Sequence, residues 1–127
     1  MSTSPIVPSP NFGARDPDPR GMTVLGSDRQ AAGVVSDVWV DRSEVIIRYL
    51  EVKLDGNAGT VLVPMTFATV SGGRRVVEVP AILGSQFANV PKLGKPDQIS
   101  MLEEEKVCAY YGAGTLYAVP GRQEPLL

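Results

Sequence analysis

The sequence predicts a mainly β domain, in which a small antiparallel barrel is followed by a short helical turn and one C-terminal α-helix, behind a proline-rich extended arm. Three observations carry this prediction. Prolines stand at 5, 8, 10, 17 and 19; short runs rich in Val, Ile and Thr recur between turn signals from Met22 to Val79; and a helix-capping sequence begins at Ser100.

Each proline removes a backbone donor and fixes its own φ, so residues 1–20 read as an arm or linker without regular structure. The domain proper then spans 21–127. Strands are expected at Met22 to Leu25, Gly33 to Val40, Val45 to Leu54, Thr60 to Pro64, Ala68 to Val70 and Arg75 to Val79, separated by Ser27-Asp28, Asp41 to Ser43, Asp55 to Gly59 and Ser71 to Gly73. Six short strands suit a small barrel. Ala81 to Ala88 reads as a helical turn before Pro91. Ser100 and Glu103 form a capping box, and acidic residues at 103, 104 and 105 complement the helix dipole, so a helix is expected from Met101 to about Tyr111. Gly112 and Gly114 are read as its end, and 120–127 as a frayed tail.

Composition excludes several functions. Twelve basic against fourteen acidic residues give a formal net charge of -2, which supplies no field to gather nucleic acid. One cysteine and no histidine leave no disulfide, no zinc site of the usual type and no imidazole base. A histidine-paired nucleophile is therefore lacking, and the chain does not read as an enzyme. Any proton traffic would run on carboxylates and water. No run approaches the roughly 20 apolar residues of a spanning helix, and the first ten residues lack the pattern of a signal peptide, so the chain reads as soluble.

The most informative stretch is the predicted hairpin Gly33 to Leu54, with its tight turn at Arg42 and Ser43. If Val40 lies opposite Val45, then Trp39 faces Ile46, Asp37 faces Arg48, and Asp37, Asp41, Glu44 and Arg48 share one side of the sheet. Apolar neighbours on that side would raise some carboxylate pKa values while Arg48 holds others down. Pattern alone favours a plainer reading, an ordinary Asp37–Arg48 cross-strand pair with Asp41 and Glu44 solvating the turn. Among the remaining features, Cys108 reads as a small buried apolar residue, and Tyr110, Tyr111 and Tyr117 as packing of the helix on the barrel.

Five segments then occur in register: Val38-Trp-Val-Asp-Arg-Ser-Glu44, Arg48-Tyr-Leu-Glu-Val52, Leu62-Val-Pro-Met65, Gln86-Phe-Ala-Asn-Val-Pro91, and the run LEEEKVCAYYGAGTLYA at 102–118. Together, from about 21 to 118, they resemble the cytoplasmic domain of the photosynthetic reaction-centre H subunit of purple bacteria, a PRC-type β-barrel. The resemblance implies a non-catalytic domain that caps the pigment-binding L and M subunits on the cytoplasmic side of the inner membrane. It implies proton transfer toward the secondary quinone, with Asp41 and Glu44 at the family's acidic positions and Arg48 at its nearby arginine; Asp37 joins this proton-transfer cluster by the geometry of the hairpin.

The resemblance also implies that bacteriochlorophyll, bacteriopheophytin, quinones and non-haem iron reside on L and M and none on this chain. Family members attach to the membrane through an N-terminal helix that this sequence lacks, so it is expected to represent the soluble part, a monomer or weak homodimer in isolation. The alternative is a free-standing PRC-barrel adaptor for a protein or ribosomal partner.

Overall fold

Seven strands run β1 (Ile6–Pro8), β2 (Thr23–Leu25), β3 (Ala31–Asp41), β4 (Ile46–Leu54), β5 (Thr60–Pro64), β6 (Thr69–Ser71) and β7 (Val76–Glu78), before the helix α1 (Met101–Tyr117). The structure is a computed structural model that describes residues 5–8, 18–44, 46–95 and 97–117, with backbone alone at 115–117. The expected frayed tail and the Tyr117 side chain lie outside the described residues.

The strands form one sheet in the order β5-β4-β3-β2-β7-β6, with β1 added to β3. Its ends do not pair, so the barrel is not closed. All pairings are antiparallel except β2 with β7, which is parallel. The six expected strands are present with ends shifted by no more than two residues, because Val, Ile and Thr runs between turn residues mark strands well. The helical turn expected at Ala81 to Ala88 is a 3-10 segment at Gly84–Asn89, stapled at its start by Gln86 Oε1 accepting from the Leu83 N–H at 2.7 Å.

β1 corrects the expectation of an arm without regular structure. At eleven residues β3 is far longer than β2, which covers only its Ala31 to Val34 stretch. The unfilled edge farther along pairs with the arm, Ile6 with Asp41, Val7 with Val40 and Pro8 with Trp39. Open backbone groups on a long strand favour such cover.

The core lies between the sheet and the segments that follow β7. Val38, Trp39, Leu50, Val63, Phe87 and Tyr111 are all fully or almost fully buried. Burial of a side chain such as Phe87 stabilises by about 1.5–3 kcal/mol. Tyr111 anchors α1. Its ring stacks on Phe67 at 5.8 Å and meets Phe87 edge-on at 6.4 Å, while its hydroxyl donates to the Leu62 carbonyl at 2.9 Å. Tyr110 donates to the Gln86 carbonyl at 2.7 Å, so Tyr111 packs the helix on the sheet and Tyr110 ties it to the 3-10 segment.

α1 continues to Tyr117 past the two glycines read as its end. A glycine stops a helix by turning to positive φ, and neither Gly112 nor Gly114 does so. Gly114 is instead a close-approach residue: a Cβ there would sit 2.4 Å from Ile82 Cγ2 and 2.6 Å from the Ala81 carbonyl oxygen. At Gly112 a Cβ would meet nothing within 4 Å. Gly114→Ala is therefore expected to destabilise the fold by about 1–3 kcal/mol through overpacking. Gly112→Ala should be neutral or stabilise by up to about 1 kcal/mol through helix propensity. Urea denaturation of the two variants checks the contrast.

Candidate functional site

The pairing of β3 with β4 sets the site. Trp39 lies opposite Tyr49, Val40 opposite Ile47 and Asp41 opposite Ile46, which leaves Arg48 as an extra residue on β4. A second irregularity leaves Ser36 extra on β3, so that Asp37 falls opposite Glu51. The expected register, with Trp39 facing Ile46 and Asp37 facing Arg48, is therefore wrong. Val45 lies outside the described residues, and the partner of Val40 is Ile47. The register already differs by two residues at the turn, where Asp41 faces Ile46, and the two bulges, on opposite strands, then shift the count by one and back, which alternation alone does not reveal.

Three of the four candidate residues still come together. The Arg48 guanidinium lies 3.0 Å from Glu44 Oε1 and 3.8 Å from Asp41 Oδ2. Asp41 is buried at the end of β3, while Glu44 and Arg48 are exposed. Asp37 does not join them. It sits four residues back along the strand, about 13 Å at ordinary strand rise, where its Oδ1 lies 3.6 Å from Arg20 Nε and accepts from the Val38 N–H at 2.8 Å. Arg20 is also held by Asp18 at 3.1 Å.

The turn explains the state of Asp41. Its Oδ1 accepts from the Ser43 N–H at 2.9 Å and from the Ser43 hydroxyl at 2.6 Å, an Asx turn that fixes the carboxylate before the chain reverses. These two bonds, with the Arg48 charge a smaller influence, hold the Asp41 carboxyl below its ordinary value of 3.8 against the opposing effect of burial. The sequence reading assigned that effect to Arg48. It placed Ser43 in the turn but not as the partner of Asp41, although an Asp followed two residues later by Ser is a recognisable Asx-turn signal.

Asp41 and Arg48 line an open groove of about 590 Å³ between β4, β1, the segment at 64–66 and the first turns of α1. Across it, the Tyr49 hydroxyl donates to Glu104 Oε1 at 3.0 Å and lies 3.9 Å from Cys108 Sγ. Burial first, then the neighbouring Cys108 and Glu104, push the Tyr49 hydroxyl far above its usual range, so it stays a donor. Cys108 is only partly buried and lines this groove, which corrects its reading as a buried apolar residue. The contact between Tyr49 and Glu104 could not be read in the sequence, because it spans 55 positions.

α1 is aimed at the groove by its cap. The Ser100 hydroxyl accepts from the Glu103 N–H at 3.1 Å, and Glu103 Oε1 accepts from the Ser100 N–H at 2.8 Å, the expected capping box. Glu103 Oε2 also accepts from the Gly94 N–H at 2.8 Å, and these backbone bonds, Gly94 foremost, hold the Glu103 carboxyl below its usual range. A second polar cluster sits behind the hairpin, where Glu51 accepts from Trp39 Nε1 at 2.9 Å and from the Ser36 hydroxyl at 2.8 Å.

Because the folded value of Asp41 is depressed, its contribution to stability is present above about pH 3.8 and is lost as pH falls through the lower folded value. Ser43→Ala is expected to move the Asp41 titration up toward 3.8 and to flatten the acid limb of the stability profile below about pH 4. Carboxyl carbon chemical shifts followed from pH 2 to 6 check the first outcome, and urea melts over the same range check the second.

Comparison with known families places these elements. The PRC-barrel domain pattern matches residues 13–86, which takes in β2 to β7 with Asp37, Asp41, Glu44 and Arg48, and stops short of α1. The match extends over more than half of the chain, and the open mainly β sheet agrees with it. The chain thus belongs to the PRC-barrel domain family.

Proposed function

We propose that this PRC-barrel domain is the cytoplasmic-side domain of a reaction-centre H-type subunit. In that role it caps the L and M subunits, stabilises them and helps carry protons toward the secondary quinone, while pigments, quinones and iron stay on L and M. The observation that carries the reading is the cluster of Asp41, Arg48 and Glu44 at one wall of an open groove. Proton delivery needs carboxylates with different exposure in reach of one another and of water. Asp41 is buried and pinned by Ser43, whereas Glu44 reaches solvent through a side chain that is 57% exposed.

One further point supports it. The sequence resemblance runs beyond the matched PRC-barrel span through Gln86 to Pro91 and the helix at 102–118. Among the described residues no helix is long and apolar enough to cross a membrane.

The test is reconstitution on an L and M core stripped of its H subunit. The full chain is expected to bind and to restore proton-coupled reduction of the secondary quinone. Glu44→Gln should bind equally well but slow proton uptake on the order of tenfold or more. Unchanged uptake removes Glu44 from the path. A chain that fails to bind the core favours the free-standing adaptor instead.

A further inference from the structure

Four large apolar side chains are exposed among the described residues, Val34, Ile46, Met101 and Leu102. Two of them, Ile46 at 44% and Met101 at 51%, line the same groove from β4 and from the first turn of α1. Ile47, Pro64 and Met65 continue the apolar surface between them. Exposed apolar side chains that converge on one concavity mark a contact surface more reliably than single ones.

The charges of the groove choose the occupant. Its lining carries Asp41, Glu104 and Arg48, and Glu44 stands beside it on Arg48. That is three carboxylates against one guanidinium, and the guanidinium already lies against two of them. Glu104 uses Oε1 to accept from Tyr49, and its Oε2 has no partner among the described residues. A buried, protonated Tyr49 holds this carboxylate in place from below.

We propose that the groove between β4 and α1 is the seat of a partner segment that presents one apolar side chain and, next to it, one Lys or Arg. The apolar side chain enters between Ile46 and Met101, and the cation docks on Glu104. This rests on the function proposed above, with the segment belonging to the L and M core, and it names the surface and the chemistry through which the domain is held. Desolvating the apolar contact supplies affinity, while the cation on Glu104 supplies register and salt dependence. Proton conduction past Asp41 and through Glu44 does not require that the domain be held by this surface, so the two claims separate.

The experiment measures binding of the full chain to the H-depleted L and M core at several salt concentrations. Ile46→Asp and Met101→Asp change exposed side chains and should leave thermal melts unchanged while weakening binding at least tenfold. Glu104→Gln keeps an acceptor for Tyr49 and should weaken binding several-fold and reduce its dependence on salt. Val34→Asp, an equally exposed apolar site outside the groove lining, should bind as the parent does. Parent-like binding by both groove aspartates, or an unaltered salt dependence in Glu104→Gln, overturns the proposal while leaving the function intact. Failure of the parent chain to bind the core overturns both.

Discussion

Arg48 has no opposite number across the β3–β4 ribbon, and the candidate site depends on that one unpaired position. With regular pairing, the strands would present their residues in strict alternation, and a charge from β4 would face a fixed residue of β3. The bulge frees Arg48 from that constraint, so its guanidinium reaches forward to Glu44 in the turn and sideways to Asp41 at the end of β3. The same bulge changes the count by one, which puts Tyr49 opposite Trp39 and gives its hydroxyl a view of α1. Both halves of the groove, the ionic wall and the Tyr49–Glu104 wall, follow from one inserted residue. Bulges beside functional sites commonly re-aim side chains in this way.

What the hairpin presents, the rest of the chain encloses. β1 lies against the far end of β3, buries Ile6 and brings Pro5 and Ile6 into the groove wall next to Asp41. On the other side α1 is fixed at three places: by its cap to Gly94, by Tyr111 to the Leu62 carbonyl, and by Gly114 close against Ala81 and Ile82. A helix held at its start, its middle and its end has little freedom to roll. Glu104 and Cys108, one turn apart, both face Tyr49 of β4 from this anchored helix.

Legibility in the sequence followed the range of the interaction. Strand existence and the capping box rest on residues within a few positions of one another, and both were readable. The cluster of residues 41, 44 and 48 was also readable, because these residues flank one turn and lie within a few positions of one another. Asp37 was not, since its place depends on how many residues lie opposite it, and its actual partner Arg20 comes from a segment seventeen positions earlier. The two glycines of α1 misled for a related reason. A glycine in sequence looks the same whether it turns the chain or lets another backbone approach, and only the Ala81-Ile82 segment decides it. Tyr49 with Glu104 lay beyond any local pattern.

On the proton-conducting reading, the three-residue cluster divides the labour. A carboxylate that accepts two hydrogen bonds from Ser43 and lies near a guanidinium resists protonation, so Asp41 serves as a fixed negative charge. A fixed charge attracts protons to its neighbourhood without carrying them. Glu44 is differently placed: its carboxylate accepts from Arg48 at 3.0 Å, and its side chain stands in the turn 57% exposed, open to solvent. Arg48 links the two and prevents the pair of carboxylates from repelling each other apart. In a chain without histidine, a buried, pinned acid beside an exposed one supplies carboxylates of different access to solvent where an imidazole is lacking.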